Sequence, residues 1–392
     1  MAKFEALTGN NAVAYAMKQI NPDVVAAYPI TPQTSLMEKF TEYVADGEID
    51  TEVVLVESEH SAMSATVGAS AAGARAMTAT SSQGFALMWE VVYIASGLRL
   101  PIVMPLVNRA LSAPINIHCD HSDAMGGRDS GWIQLWSENA QEAYENMIQA
   151  VRIAEDPKVL LPVLVNFDGF IISHGVENVS LYDTEKVRNF VGEYRPKHYL
   201  LNAKNPITIG LLDLTDYYFE HRRQMADAMK NAYGVIGAIA DEFKKEFGPS
   251  YRFIEPYRMD DAEIAVIGLG STMGTLRVVI DECRAKGIKV GSLKIRVFRP
   301  FPDEELARLV SGLKAVAVLD RADSLNGISG PLFTDVRSAL YGKTAIPVSD
   351  YVYGLGGREI TLDNLRQIVT DLGTIAGTKK APRESTYLGV RV

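Results

Sequence analysis

The alternation of two hydrophobic periods along the chain limits its fold more than any other feature. Apolar runs of strand length at 24–30, 53–56, 76–80, 102–107 and 159–166 are separated by helical patterns at 10–20, 34–44, 58–74, 85–96 and 140–154. A helix between successive strands enforces parallel pairing through right-handed crossovers, and such a sheet is covered on both faces. The pattern weakens across 173–222, and a long amphipathic packing helix is then predicted over 223–247. Turn residues and charge mark 249–261 as a connection. A second series follows, with strands at 263–268, 290–296 and 315–319 and helices at 273–286, 303–310, 333–340 and 362–372. The sequence therefore predicts an α/β protein with a larger domain over 1–240, a linker over 241–260 and a smaller domain over 261–392.

Composition narrows what such a protein does. With 47% apolar and 22% charged residues the chain is globular, not disordered, and its net charge of −9 gives no basic field for nucleic acid or anionic lipid. The two cysteines, Cys119 and Cys283, are too few for a disulfide framework, a four-thiolate zinc site or an iron–sulfur cluster within the chain. The opening MAKFEALTGN lacks an apolar core, so no signal peptide is expected. The longest apolar stretch, 85–107, is broken by Glu90, Arg99, Pro101 and Pro105, so no membrane span is expected and the cytoplasm is the default compartment.

Three strand ends carry candidate chemistry. YPITPQT (28–34) ends a buried strand at Tyr28-Pro29, with Thr31 expected as a helix N-cap and Pro32 at the first helical position. The mouth of a parallel strand at a helix start binds small anions, although the segment also reads as a plain strand-to-helix turn. VESEH (56–60) places Glu57, Glu59 and His60 at a second such corner, as capping charges or as a carboxylate facing a cofactor. The small residues after it, from Ala62 to Gly73, allow another helix or a subunit to approach closely. Asn108-Arg109 closes a third strand, where an arginine holds a carboxylate by two charge-assisted hydrogen bonds or forms a surface ion pair.

Two further segments invite a ligand and fit it poorly. The loop HCDHSDAMGGRDSG (118–131) mixes His, Cys and Asp without zinc spacing, so a mobile loop over a site or at an interface is the better expectation. Gly268, Gly270 and Gly274 follow a strand but miss the dinucleotide spacing by one, and serve better to start a helix close to the sheet.

The blocks YPITPQT (28–34), ESEHSA (57–62), TSSQG (80–84) and NRALSAPINIHCDHSDAMGGRDSGWIQ (108–134), in this order and spacing, resemble the α subunits of the pyruvate:ferredoxin oxidoreductase family. The resemblance covers most of the chain. It implies a thiamine-diphosphate-type pyrimidine-binding domain followed by a transketolase C-terminal-like domain. It implies Glu59 as the carboxylate at N1′ of the aminopyrimidine, with Tyr28, Pro29 and Ile30 beside the cofactor, and Thr31 and Arg109 at the substrate carboxylate. A neutral donor beside one cation suits a monoanion such as pyruvate. The implied reaction is oxidative decarboxylation of pyruvate with coenzyme A to acetyl-CoA and carbon dioxide, with electrons leaving to ferredoxin. The alternatives are 2-oxoisovalerate, 2-oxoglutarate or oxalate as substrate. A magnesium–diphosphate motif (GDG followed by Asn) is not found and no metal site is expected here. The resemblance therefore implies a β subunit carrying the diphosphate and Mg2+, and γ and δ subunits carrying [4Fe–4S] clusters. The chain would be inactive alone, and the small-residue helix at 61–74 is a candidate surface for that contact.

Overall fold

The computed structural model describes residues 3–391. The first half runs β1 (Lys3–Thr8), α1 (Gly9–Ile20), β2 (Val24–Ala27), α2 (Thr34–Ala45), β3 (Glu52–Leu55), α3 (Glu59–Ala72), β4 (Ala76–Met77), α4 (Ser82–Leu87), α5 (Trp89–Gly97) and β5 (Val103–Asn108). It continues through α6 (Ser122–Gly126), β6 (Ile133–Trp136), α7 (Ala140–Glu155), β7 (Val163–Asp168), β8 (Val176–Leu181), α8 (Thr184–Val191) and α9 (Tyr218–Phe247). Then come β9 (Ile254–Tyr257), β10 (Ile264–Gly268), α10 (Thr272–Ala285), β11 (Val290–Ile295), β12 (Val297–Arg299), α11 (Asp303–Val310) and β13 (Ala315–Asp320). The chain ends with α12 (Pro331–Leu340), β14 (Val348–Val352), α13 (Leu362–Thr378) and β15 (Thr386–Tyr387).

Two large sheets and a two-stranded antiparallel pair, β1 with β8, result. The first has seven strands in the order β12-β6-β7-β5-β4-β2-β3, and the second has six in the order β15-β14-β13-β10-β11-β9. Pairing is parallel throughout except at one edge of each, where β12 runs antiparallel to β6 and β9 antiparallel to β11. The helices start where the sequence supplies caps. Thr8, Ser58, Asn139, Asp183 and Thr361 each accept a hydrogen bond from a backbone N–H of the first turn. Strands β5, β7, β10, β11 and β13 are buried along their whole length, as central parallel strands must be.

The domains are less separate than the sequence suggests. The expected linker at 241–260 is instead the last turns of α9, a short turn and the edge strand β9. Pro256 disguised that strand, but an edge position tolerates its missing N–H. The segment after β11 leaves the second sheet and adds β12 to the first, pairing Val297 with Leu135 and Arg299 with Gln134. Between the sheets, Glu142 of helix α7 and Glu138, just before its Asn139 cap, meet the buried Lys294, which also meets Glu255 at 2.9 Å. A lone buried ammonium is costly; three carboxylates hold this one charged. Fully buried Arg296 bonds Asn146 and Gln149 at 2.9 and 3.2 Å and lies over the Tyr251 ring.

Candidate functional site

The carboxyl ends of β2, β4 and β5 meet at one crevice. At the first corner the Thr31 cap expected from the sequence is not formed. Helix α2 begins only at Thr34, and Gln33 precedes it without a side-chain cap. The turn is pinned by other groups: Gln33 donates to the Ala79 carbonyl at 3.2 Å and accepts from the Ile30 N–H at 3.3 Å. Buried Asn10 donates to the Pro32 carbonyl at 2.8 Å. With Gln33 occupying the cap position, Thr31 is exposed, as is Pro29, while Tyr28 and Ile30 are half-buried.

The third corner lies against the first. Arg109 is 7% exposed, and its guanidinium donates to the Thr31 carbonyl at 2.9 Å and to the Asn116 carbonyl at 2.8 Å. Burial lowers its pKa from the free value, and the Asp123 carboxylate opposes that shift. A guanidinium held by two carbonyls keeps its charge uncompensated by any contacting carboxylate, which suits it to an anion. The structure thus brings Thr31 and Arg109 together.

Glu59 opens helix α3 behind the Ser58 cap and is 8% exposed. From this second corner it faces the turn after β4, residues 80–84. A Cβ on Gly84 would lie 2.2 Å from Thr80 Oγ1 and 2.9 Å from Glu59 Oε1, so only glycine fits there. The hydroxyls of Thr78, Thr80 and Ser81 are buried with no hydrogen-bond partner. Unpaired buried hydroxyls are expensive, and three follow one another after β4, with Thr80 meeting Glu59 across Gly84. An aminopyrimidine, with ring nitrogens and an exocyclic amine, is a group this donor and acceptor set fits. Glu57, by contrast, is exposed and caps locally through Ser61.

The loop at 118–131 is an ordered interface. Asp120, His121 and Asp123 are buried, and α6 forms within it. Cys119, His121 and Asp168 offer ligand atoms within 4.8 Å of one another. His121 already bonds Asp168 at 2.8 Å, however, and Asp168 also accepts from the Ser271 N–H and from Arg321, both at 3.1 Å. Burial alone would raise the Asp168 pKa, but His121 and Arg321 outweigh it and hold the carboxyl well below its usual range. Burial pushes the Cys119 thiol up. A neutral thiol beside a guanidinium is a poor cation site.

The glycine run after β10 serves the same interface. Gly270 adopts φ +67°, and a Cβ there would sit 2.9 Å from the Asp168 carboxylate. The corner that holds a ligand in many α/β sheets is filled here by the other domain's aspartate.

The sequence reading missed Asp123, Gln33, Asn10 and Thr80. Only the run of His and Asp in 118–131 hinted at the first, and it was expected as a mobile loop over a site or at an interface, without a role for Asp123.

Fold and crevice define an α/β protein of two mainly parallel sheets with a polar site at parallel strand ends, where Gly84 meets Glu59. Residues 15–241 match the family model "Pyruvate flavodoxin/ferredoxin oxidoreductase, thiamine diP-bdg", and residues 262–365 match "Pyruvate:ferredoxin oxidoreductase core domain II". The chain belongs to the pyruvate:ferredoxin oxidoreductase family. It is 60% identical to the "Pyruvate synthase subunit PorA" of Thermotoga maritima, over 98% of each chain. It is 43% identical to the "Ketoisovalerate oxidoreductase subunit VorA" of Pyrococcus horikoshii, over 97% of this chain and 96% of that one. Among solved structures it resembles the 2-oxoglutarate:ferredoxin oxidoreductase of Magnetococcus marinus, with a TM-score of 0.72 and 20% identity over 94% of this chain and 65% of that one. A split-gene transketolase matches with a TM-score of 0.58 and 12% identity, over 95% of this chain and all of that one. Both structural likenesses speak for the fold: a thiamine-diphosphate-type domain with a transketolase-like companion. No helix among the described residues is long and apolar enough to cross a membrane.

Proposed function

We propose that this chain is the α-type subunit of a pyruvate:ferredoxin oxidoreductase and holds the pyrimidine half of a shared thiamine diphosphate site. The observation that carries this reading is the pairing of two corners on one crevice. Glu59 stands beside the unpaired Thr80 hydroxyl and the bare backbone of Gly84, and Arg109 stands against Thr31. Thiamine diphosphate, when bound, supplies a nucleophilic carbon and an electron sink for decarboxylation. Glu59 would hold the proton at N1′ of the pyrimidine, and the group would supply the neighbouring base through its exocyclic amine. Tyr28, Pro29 and Ile30 form the wall beside the ring. Arg109 and Thr31 hold the substrate carboxylate, and that one cation with a neutral donor favours a monoanion.

The diphosphate and its Mg2+ then fall to a β subunit, and the electron path to [4Fe–4S] clusters on γ and δ subunits that hand electrons to ferredoxin, with coenzyme A taking the acetyl group. The outer face of α3, with Ser64 and Gly68 exposed and open space at Gly68, is offered to the β subunit. Exposed Leu55, Leu87, Trp89 and Ile94 flank it and give that contact apolar area. The cytoplasm is the proposed compartment, and residues 1–240 and 261–392 the proposed functional units. The smaller unit carries the docking corner that receives Asp168.

The native complex, purified anaerobically, tests this reading through its iron and thiamine content and its activity on pyruvate, 2-oxoisovalerate and 2-oxoglutarate. Stoichiometric thiamine with pyruvate as the best substrate is expected. Greater activity on either of the other acids overturns the choice of substrate, and a thiamine-free chain overturns the whole reading. The ketoisovalerate relative makes 2-oxoisovalerate the second reading.

A further inference from the structure

We propose that Asp123 is a positioning residue for this site: one buried carboxylate sets the backbone of both the cofactor-facing corner at 80–84 and the substrate-facing corner at 108–109. The proposal rests on the roles given above to Glu59 and Arg109.

Asp123 is 1% exposed at the start of α6. Its Oδ2 accepts from the backbone N–H of Ser82 and from that of Arg109, each at 3.0 Å. Its Oδ1 accepts from the Asn108 side-chain amide at 3.1 Å and from the Ala124 N–H at 2.7 Å. All four partners are donors, so both oxygens must be acceptors. Only the ionised carboxylate satisfies all four; an amide or a carboxylic acid sets an N–H or O–H against another N–H. Burial pushes the pKa of this group up to about 7, and the four bonds work against that rise.

The bonds matter because of what they hold. Ser82 has φ +44°, a left-handed conformation that a side chain rarely adopts unaided. It is kept there by Asp123 and by its own hydroxyl, which donates to the Ala110 carbonyl. Thr80, Ser81 and Gly84 take their places beside Glu59 from this turn. On the other side, the Arg109 N–H fixes where the arginine leaves β5 and hence where its guanidinium meets Thr31. No other hydrogen bond among the described residues runs from one side chain to the backbone of both corners. The residue two before it, His121, bonds Asp168, so α6 is itself anchored to the interface with the second domain.

The test uses the assembled complex carrying Asp123→Asn, which keeps the shape and loses an acceptor, and Asp123→Glu, which keeps the charge. D123N is expected to raise the pyruvate KM about tenfold and to lower kcat about tenfold, since it displaces both corners. R109Q is expected to raise KM about as much, and D123N added to it should raise KM no further, because both act through one guanidinium. Hydrogen exchange at the Ser82 and Arg109 amides should speed up in D123N. D123E is read in the same way where D123N does not assemble, and is expected to retain more kcat than D123N. Wild-type KM and kcat in D123N overturn the proposal whatever its melting temperature does, and so does a full further rise in KM on top of R109Q. Wild-type KM in R109Q itself overturns the assignment of Arg109, and with it this proposal.

Discussion

At the carboxyl end of the first sheet, the corners after β2, β4 and β5 leave the hydroxyls of Thr78, Thr80 and Ser81 buried and unpaired, with Glu59 and Arg109 around them. At the carboxyl end of the second sheet, the corner after β10 receives Asp168 from the first domain, and Asp168 also takes Ser271, Arg321 and His121. The corner after β13 is closed by Asp320, which accepts the first N–H groups of α12. The two crevices are built by the same crossover physics, but the first leaves three hydroxyls unpaired, while the second spends Asp168 and Asp320 on its neighbours and leaves Arg321 Nε and Asp350 Oδ1 without a partner. A strand end that binds a ligand carries a local stability penalty, because its polar groups wait for a partner; at the strand end that docks a domain the carboxylates, Asp168 and Asp320, are each held by several donors.

That contrast can be broken in order of effect. Glu59→Gln in the assembled complex should lower kcat by about 100-fold or more, the scale of a lost proton-transfer group, with melting and assembly unchanged. Steady-state kinetics beside a thermal melt checks it, and unchanged turnover removes Glu59 from the chemistry. Asp168→Ala should do the opposite. It leaves Arg321 buried without its carboxylate and should cost about 3–5 kcal/mol of stability, read by denaturant unfolding.

A matched glycine pair sharpens the same point. Gly84→Ala pushes a methyl into Thr80 and Glu59, so about tenfold of kcat should go on top of an overpacking cost of about 1–3 kcal/mol. Gly270→Ala strains a φ of +67° and presses on Asp168, so it should cost about 1–3 kcal/mol of stability and little kcat once the complex is assembled.

The smallest effect is a difference in pH response between two buried aspartates. Asp168 has a lowered pKa, so its contribution to stability is present above the ordinary carboxylate value of about 4 and is lost as pH falls below it. Asp123 is raised, so the stability tied to it is full below that ordinary value and is lost as pH rises through about 7. Between pH 8 and 6, therefore, kcat/KM for pyruvate should fall on acidification as Asp123 gains a proton, while the melting temperature does not fall. Arg109 and Cys119 face the same carboxyl and shift its midpoint, so D123N, which should flatten this limb, is the control. A limb that survives in D123N assigns it to another group.

Most crossover helices and the buried strands β5, β7, β10, β11 and β13 were legible from their apolar runs, whereas β6 and β14, buried just as fully, were not, because runs of four or five residues interrupted by polar groups give little local signal. Misreadings fell where tertiary pairing replaced local signal. Strand β9 carries a proline that only an edge position allows, and β12 is three residues long and exists because β6 offers it a partner. The Thr31 cap failed because Gln33, reaching across to Ala79, fixed the turn instead.

Glu59, Thr31 and Arg109 could be named because each ends or follows a recognisable strand, and motif order ties them to a family. Their grouping came from the fold: Thr31 and Arg109 are 78 residues apart and touch only because β2 and β5 end at one crevice. Asp123 left no signal of its own, since an aspartate in a loop of His, Cys and Gly looks the same whether it binds a metal, faces solvent or accepts four N–H groups. Sequence determined which segments become strands, which helices cover them and which side chains sit at strand ends, because these follow from neighbours along the chain. Tertiary structure decided which strand ends stay open and which are filled, because a buried polar group is satisfied by whatever the packed chain brings within about 3 Å.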